Sequence, residues 1–281
     1  MKKSVVLISV FGLMACTGCF KHREAPSRPV TAKTMAEAVA KQATVERVNL
    51  AGQPITALPK ELAAMPKLSV LELRDVQGLT SLAGISGLKA LKQLDLASIK
   101  LSTVPNELCA MTGLERLYLS ENGIASLPPA VGGWTSLAYL NLDNNQLTAL
   151  PAELGQIAGL RWLRLNGNRL VALPPELAKL TTLQRVYLRQ NQLTAVPECL
   201  KGLPLLEDVS LSGNKIAVIP DWMTALPKLR QVDLDGCPVA KMPANLDGWK
   251  KLQVLSLVRC PIADEEKARI RAALTKVHVA F

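Results

Sequence analysis

The sequence has few of the side chains that enzymes use for acid–base or covalent chemistry. Its 281 residues include two histidines, His22 and His278. Neither histidine has a Cys, Ser or acidic residue nearby in an arrangement suited to catalysis. Glycine-rich phosphate-binding loops and the spacings typical of metal ligands are also missing. The sequence therefore predicts a protein that is not an enzyme and that uses no cofactor and no metal ion.

The sequence also has no apolar run long enough for a membrane span. The apolar stretch from Val5 to Met14 has ten residues, whereas a span needs about 20. This stretch follows the basic segment Met1-Lys2-Lys3, as in a signal peptide. It ends in Leu13-Met14-Ala15-Cys16, which resembles the lipobox of bacterial lipoproteins. The resemblance implies a signal peptide over residues 1–15, cleavage before Cys16 and acylation of Cys16.

Three alternatives remain open for this end of the chain: an ordinary secretory signal, an uncleaved anchor, and lipidation at Cys19. Lipidation implies a place in the bacterial cell envelope. Thr17 stands where an Asp would signal retention in the inner membrane, which favours the outer membrane or the cell surface. Without lipidation we expect a secreted or periplasmic protein. Residues 16–33, which include the polar segment KHREAPSRPVT, are predicted to form the lipidated N-terminus and a flexible tether.

A period of 23 residues dominates the rest of the chain. It runs without interruption from residue 45 to residue 274 and defines ten units. Within each unit, Leu or another apolar residue recurs at positions called here phases 1, 4, 6, 11, 14, 18 and 21, and Asn is common at phase 9. The unit that begins at Leu137 reads LAYLNLDNNQLTALPAELGQIAG. A fixed period of this length is typical of a solenoid, in which each unit packs only against its neighbours.

The pattern LxxLxLxxNxLxxLPxxLxxL resembles the leucine-rich repeat family over more than four-fifths of the chain. The resemblance implies an α/β solenoid, shaped as a horseshoe with a parallel concave β-sheet, a convex side of 3₁₀ turns and short helices, and short helices as caps. It also implies a binding or scaffolding role, without naming a partner. The predicted organisation is a capping helix over residues 34–44, repeats over 45–263, and a C-terminal cap helix and tail over 264–281.

Side chains alternate along a strand, so phases 4 and 6 are predicted to face the core and phases 3 and 5 the solvent. The Asn at phase 9 lies where the chain leaves the strand. Stacked units would align these residues into a ladder whose amides satisfy unpaired backbone groups. At the chain's start, Thr34 is expected to begin a helix that covers the edge of the first strand. Asp264 is expected to cap the last helix. The ladder comprises Asn122, Asn145, Asn168, Asn191 and Asn214.

Four cysteines lie within the repeats. Cys237 and Cys260 occupy phase 9 of the ninth and tenth units, and two interpretations are open for them. They are either stacked thiols that replace the Asn amide or a disulfide, since neighbouring parallel strands lie about 4.8 Å apart. Cys109 and Cys199 fall at different phases of distant units. They are predicted to be unpaired and buried as small hydrophobes.

The concave face of units four to seven is predicted to carry a cluster of aromatic and arginine side chains. All three tyrosines and one of the four tryptophans lie at phases 3 and 5 of these units. Tyr, Trp and Arg are enriched at interface hot spots, which predicts a binding site, although such neighbours also stabilise exposed sheets. We expect three cation–π pairs: Arg116 with Tyr139, Arg185 with Trp162, and Arg164 with Tyr187. The predicted partner-binding residues are Arg116, Tyr118, Tyr139, Trp162, Arg164, Arg185, Tyr187 and Arg189.

The charge of the chain constrains the partner only weakly. The formal net charge is +10, and it falls to +8 when Lys2 and Lys3 leave with the signal peptide. An exported chain seldom meets nucleic acid, so we expect no nucleic-acid partner. A basic surface attracts anionic envelope polymers, lipid headgroups or acidic proteins.

Three hypotheses for the function follow from these predictions. The first is an exported, lipid-anchored scaffold that binds a protein through its concave face. The alternatives are a lipoprotein that binds a cell-envelope polysaccharide or cell-wall polymer, and a structural envelope component without a tight ligand.

Overall fold

The computed structural model describes residues 28–281, and its central feature is one parallel sheet of twelve short strands. The strands follow one another across the sheet in the order of the sequence. They are β1 (Thr31–Ala32), β2 (Arg47–Asn49), β3 (Val70–Glu72), β4 (Gln93–Asp95), β5 (Arg116–Tyr118), β6 (Tyr139–Asn141), β7 (Trp162–Arg164), β8 (Arg185–Tyr187), β9 (Asp208–Ser210), β10 (Gln231–Asp233), β11 (Val254–Ser256) and β12 (His278–Ala280).

The convex side consists of short helical turns between the strands. Three segments are α-helical: α1 (Met35–Ala40), α2 (Asn106–Cys109) and α3 (Asp264–Ala273). Eight are 3₁₀-helical: Lys60–Ala64, Ile85–Gly87, Pro129–Gly133, Ala152–Gln156, Pro175–Lys179, Glu198–Leu200, Asp221–Ala225 and Asp247–Lys251. The turn in the second unit has three residues, whereas most have five. The second unit lacks the proline that fixes φ at the start of its neighbours' turns. The turn Glu198–Leu200 is equally short although it follows Pro197, so the missing proline does not by itself set the length.

The 23-residue period sets the register of the sheet. From β2 to β11, each residue faces the residue 23 positions further along the chain, as Arg116 faces Tyr139 and Tyr139 faces Trp162. Phases 4 and 6 point into the core as predicted, and Leu140 and Leu142 are fully buried. The buried side chains of all ten units form one continuous apolar column. The predicted leucine-rich repeat solenoid is therefore the fold of this chain.

The start of the sheet differs from the sequence prediction. Thr31 and Ala32, which we placed in the flexible tether, form β1 and pair in parallel with β2. The edge of β2 is therefore covered by β1 and not by the helix. A strand supplies the backbone donors and acceptors that an open edge needs, and a helix has none to spare. The predicted cap of α1 is present, because Thr34 Oγ1 accepts a hydrogen bond of 3.2 Å from the N–H of Glu37.

The C-terminal cap also differs in two details. The tail after α3 continues the sheet as β12, which pairs in parallel with β11. The N-cap position of α3 is occupied by Ala263, so the prediction that Asp264 caps this helix was wrong. Asp264 lies in the first turn instead, where its carboxylate accepts a hydrogen bond of 2.9 Å from Lys267 Nζ. An acid in this place also interacts favourably with the helix dipole.

The asparagine ladder forms as expected. Asn168 is 7% exposed, and its side-chain N–H₂ donates to the carbonyl groups of Leu142 and Leu165 at 2.9 and 3.0 Å. Its Oδ1 accepts a hydrogen bond of 3.1 Å from the N–H of Leu147 in the preceding unit. One amide thus links two units and satisfies buried backbone groups that the turn leaves unpaired.

All four cysteines of the described residues are free thiols. Cys237 and Cys260 replace the Asn amide as hydrogen-bond donors. The Cys237 thiol donates to the carbonyl of Leu211 at 3.3 Å, and the Cys260 thiol donates to that of Leu234 at 3.2 Å, each in the preceding unit. Cys109 and Cys199 are buried as predicted, each 5% exposed. Burial raises the pKa of Cys199 to about 11, so this thiol stays protonated.

Candidate functional site

Four aromatic rings follow one another along the middle of the concave face. The ring centroids of Tyr118 and Tyr139 lie 4.9 Å apart with planes tilted by 38°. Those of Tyr139 and Trp162 lie 5.7 Å apart in an edge-to-face arrangement of 64°. Trp162 is 38% exposed. These rings stand in place because β5, β6, β7 and β8 each present phases 3 and 5 to solvent.

Two of the three predicted cation–π pairs are present. The guanidinium carbon of Arg185 lies 4.7 Å from the centroid of the Trp162 ring, and that of Arg164 lies 5.3 Å from the Tyr187 ring. The predicted pair of Arg116 with Tyr139 is not among the cation–π contacts of residues 28–281. Tyr139 instead packs against its two aromatic neighbours, Tyr118 and Trp162.

Each arginine of the second half of the patch is paired with an aspartate. Arg164 makes the tightest pair, with its Nε 2.7 Å and its Nη2 2.6 Å from Asp143 Oδ2. Arg185 Nε lies 3.1 Å from Asp208 Oδ2, without the alignment that a hydrogen bond needs. Arg189 Nε lies 3.7 Å from an oxygen of the third aspartate, Asp233. The charges in this half of the patch are therefore largely balanced.

These three aspartates were missed as members of the site. Asp143 follows β6 at phase 7, and it reaches a residue of the next strand, 21 positions along the chain. The signal in the sequence was an acid at phase 3, 5 or 7 of a unit that lies one or two positions away from the unit of each arginine.

Burial and neighbouring charges shift the pKa values of several side chains in the patch. Burial disfavours a charged guanidinium, but the hydrogen bond and ion pair with Asp143 outweigh it and raise the pKa of Arg164. Burial raises the pKa of Asp208, and the nearby Arg185 offsets part of that effect. Burial also raises the pKa values of Tyr118 and Tyr139, so both phenols remain neutral hydrogen-bond donors.

Two shallow depressions lie side by side along the concave face. The first, the aromatic depression, measures about 360 Å³ and is lined by Arg116, Tyr118, Ala138, Tyr139, Arg161, Trp162 and Gln184. The second, the ion-paired depression, measures about 310 Å³. Its polar lining consists of Arg164, Asn166, Tyr187, Arg189, Asp208, Ser210, Gln231 and Asp233. Together they contain all eight predicted binding residues except Arg185, which forms part of the wall between them with its ring partner Trp162.

The other tryptophans have structural places. Trp134 and Trp249 are fully buried, and their indole N–H groups donate to the backbone carbonyls of Leu108 and Met223, each at 3.0 Å. Trp222 lies on a convex turn and donates to Glu198 Oε1 at 2.9 Å. Trp162 is therefore the tryptophan that this face offers to a ligand.

The predicted lipid anchor lies in a part of the chain that the structure does not describe. Residue Cys16 and the signal peptide over 1–15 lie outside the described residues. None of the helices between residues 28 and 281 has the length and apolar character that a membrane span requires. In the same part of the chain, no group of three or more His, Cys, Asp or Glu side chains is placed to hold a metal ion.

Comparison with known proteins places the chain among proteins of this architecture. The family model described as leucine rich repeat matches residues 112–170, 158–216 and 181–239. No curated protein matches the sequence. Among solved structures, an internalin (inlF) from Listeria monocytogenes is similar with a TM-score of 0.74 and 22% identity, over 88% of this chain and 70% of that chain. An internalin C2 from the same organism is similar with a TM-score of 0.63 and 24% identity, over 70% of this chain and 83% of that chain.

A plant receptor shares the same architecture. The ectodomain of the membrane receptor kinase GASSHO1/SCHENGEN3 from Arabidopsis thaliana, solved in complex with CASPARIAN STRIP INTEGRITY FACTOR 2, is similar with a TM-score of 0.69 and 26% identity. The match covers 89% of this chain and 32% of that chain, so this chain spans about a third of the receptor structure. The sheet, the ladder and the matched family model together define the class of protein. The chain has the leucine-rich repeat fold, and the leucine rich repeat family model matches it within residues 112–239.

Proposed function

We propose that this chain is an exported, lipid-anchored scaffold that binds a protein partner through the aromatic and arginine side chains of its concave face. The observation that carries the proposal is the solvent-facing row of the half-buried Tyr118 and Tyr139 and the exposed Trp162, in ring-to-ring contact on the sheet. A leucine-rich repeat scaffold has no need of catalysis, and we propose none. Tyr and Trp anchors with Arg neighbours are the residues that dominate the energy of protein interfaces.

The patch is ordered before any partner arrives. Trp162 is stacked against Arg185, and that arginine is in turn held by Asp208. Arg164 is fixed in the same way between Tyr187 and Asp143. Side chains that are already immobile lose little conformational entropy on binding, so more of the contact energy appears as affinity. This preorganisation favours a role in binding over a role in stabilising the sheet alone.

The geometry of the rings favours a polypeptide over a polysaccharide. Sugar rings stack best on flat, exposed aromatic faces, but the rings of Tyr118, Tyr139 and Trp162 are tilted by 38° and 64° to one another. One face of Trp162 is also occupied by the guanidinium of Arg185. Crevices between tilted rings suit the side chains of a protein. The plant receptor ectodomain, which was solved with a bound factor, agrees with this choice.

Export and anchoring rest on the N-terminal sequence. The basic and apolar segments of residues 1–15 and the lipobox-like Leu13-Met14-Ala15-Cys16 support a lipid anchor in the bacterial cell envelope, at the outer membrane or cell surface. Metabolic labelling with an alkyne fatty acid tests the anchor. The parent protein should incorporate the label and Cys16→Ser should not. Equal labelling of both proteins would contradict acylation at Cys16.

A crosslinking experiment tests the binding face. A photoreactive amino acid at position 162, introduced in cells that produce the protein, should form a crosslink to a protein partner that mass spectrometry identifies. The matched control carries the same photoreactive residue at position 179, which is exposed on the convex side in the segment Pro175–Lys179. Adducts of equal yield at both positions would place binding elsewhere.

Measured affinities then test the side chain itself. With the purified partner, Trp162→Ala should weaken binding by more than about 1 kcal/mol, or about fivefold. The thermal midpoint should change little, because this side chain lies outside the apolar column. The control is Val218→Ala, which truncates a side chain that is 72% exposed and lies outside the concave strands. A Trp162→Ala protein that binds like the parent would remove the patch from consideration.

A further inference from the structure

The arginines of the concave face fall into two groups that the sequence does not distinguish. Arg164, Arg185 and Arg189 are each paired with an aspartate of another unit, one unit away for Arg164 and Arg185 and two units away for Arg189. Arg116 and Arg161 make neither a salt bridge nor a side-chain hydrogen bond within residues 28–281. Both are exposed, and both line the aromatic depression. The net positive charge of this face is therefore concentrated at one of its two depressions.

The positions of these two cations define a small binding site. Arg116 begins β5 and Arg161 immediately precedes β7, so they stand two strand spacings apart, or about 10 Å. Tyr139 of β6 lies between them and contacts both Tyr118 and Trp162. The floor of the depression is thus apolar and aromatic, and a free guanidinium stands on either side of it. No carboxylate lines the depression.

We infer that the aromatic depression takes an acidic side chain together with a neighbouring aromatic or large apolar side chain from the protein partner. This inference rests on the proposed function and specifies the chemistry that the partner presents. A carboxylate over the strand of Tyr139 would meet Arg116 and Arg161, neither of which must first break an ion pair. The adjacent apolar side chain would enter the crevice between the edge-to-face rings of Tyr139 and Trp162.

The ion-paired depression is the internal contrast. It contains Arg189 and Asp233, whose charges lie 3.7 Å apart, and it contains Asp208 as well. An incoming carboxylate would approach these acids as closely as it approaches the arginines, and it would have to compete for a guanidinium already paired. The same argument applies to an incoming cation. This depression therefore contributes shape and hydrogen bonds but little selection for charge.

Indole NMR signals allow the inference to be tested without the natural partner. The protein has four tryptophans, and Trp162 is the one whose indole N–H has no acceptor within residues 28–281. The indole N–H groups of Trp134, Trp222 and Trp249 donate to groups within the protein. A ¹⁵N-labelled indole spectrum thus contains one reporter of the site and three of the fold. Trp162→Phe assigns the reporter.

The probe is the blocked dipeptide N-acetyl-Glu-Phe-amide, and the matched probes carry Gln or Lys in place of Glu. The Glu probe should shift the Trp162 signal and leave the other three in place. It should bind about threefold to fivefold more tightly than the Gln probe, the size expected of an exposed ion pair, and more tightly still than the Lys probe. Arg116→Gln and Arg161→Gln should each reduce the preference for Glu over Gln. Lys179→Gln, which removes a positive charge from the convex side, should leave it unchanged.

Other outcomes overturn the inference. Equal affinities for Glu, Gln and Lys probes would show that charge is not read at this site, and no shift of Trp162 with any probe would exclude the site. A preference for Glu that disappears in Arg189→Gln would assign the selection to the other depression. The proposed function fails separately, if a crosslinked partner binds the Trp162→Ala protein as well as it binds the parent. If the partner's affinity depends on Trp162 but no probe shifts the Trp162 signal, the binding face is supported and the acidic anchor is rejected.

Discussion

The middle of the solenoid and its two ends carry different residues at phase 9, where backbone groups at the end of each strand need hydrogen-bond partners. In units four to eight, phase 9 is Asn, and each buried or half-buried amide makes at least three hydrogen bonds to the backbone. In units nine and ten, Cys237 and Cys260 each donate one. In units two and three, Val76 and Ile99 fill the position with apolar atoms alone.

The difference coincides with the candidate site. The Asn units contribute β5 to β9, and the aromatic and arginine patch lies on β5 to β8. An amide that bonds two neighbouring units ties their strands together at the point where each strand ends, next to the exposed side chains. We interpret the Asn ladder as the feature that holds the binding face rigid, whereas the ends of the array need only close the apolar column. Preorganisation of the kind that the patch shows depends on such support.

Removing one amide from the middle should have the largest effect. Asn168→Ala leaves the N–H of Leu147 without its acceptor. It also removes one of the two amide donors at the carbonyls of Leu142 and Leu165, which keep their hydrogen bonds from Asn145 and Asn191. The unpaired N–H costs about 1–3 kcal/mol and each lost hydrogen bond about 0.5–1.5 kcal/mol, so the free energy of unfolding should fall by about 3 kcal/mol. Urea unfolding monitored by circular dichroism measures this loss.

The matched change near the end should cost less. Cys237→Ala removes one hydrogen bond to the carbonyl of Leu211 and a small apolar volume, so the free energy of unfolding should fall by about 1 kcal/mol. The comparison between middle and end predicts at least a twofold difference between the two losses. Equal losses for Asn168→Ala and Cys237→Ala would mean that the number of ladder hydrogen bonds does not determine local stability.

The fold could be predicted from the sequence because every unit repeats one constraint. Leu140 and Leu142 face inward for the same reason as their equivalents in nine other units, and the Asn that follows them has one geometry that satisfies the turn. A wrong assignment of phases in one unit would have been visible as a break in the 23-residue period. The rows of the concave face followed from the same alternation, which is why Tyr139 and Trp162 were correctly expected on adjacent strands.

The finer contacts could not be predicted in this way. Arg164 had both Tyr187 and Asp143 within reach, and the period does not say which of several neighbours a long side chain prefers. Phase 8 shows a second limit. All ten units have a positive φ there, including Glu121 and Gln190, and glycine stands at four of the ten positions. The left-handed conformation is strained for most residues other than glycine. The sequence therefore signals this conformation only by glycine at phase 8 of some units, which is easily overlooked.

The smallest predicted effect concerns phase 5, where units three and five differ by one atom. Asp95 Oδ1 accepts a hydrogen bond from the N–H of Ala97 at 2.9 Å, and Asn141 Oδ1 accepts one from Asp143 at the same distance. Burial raises the pKa of Asp95 above its ordinary value of 3.8, and the bond to Ala97 and the charge of Arg74 offset part of the effect. The native state therefore binds this proton more tightly than the unfolded state, and the contribution of Asp95 to stability falls as the pH rises from 3.8 through the raised pKa.

Asp95→Asn should make unit three resemble unit five. The amide oxygen keeps the bond to Ala97 without a buried charge, so the variant should be more stable than the parent at pH 7 by about 0.5 kcal/mol. The advantage should shrink as the pH falls through the raised pKa toward 3.8, because the parent carboxyl then takes up its proton in the native state. Urea midpoints at pH 7 and pH 4 measure it, with Glu61→Gln on the exposed convex side as the control for loss of one negative charge. An advantage that is constant with pH, or shared by Glu61→Gln, would show that burial at Asp95 does not cost the native state stability.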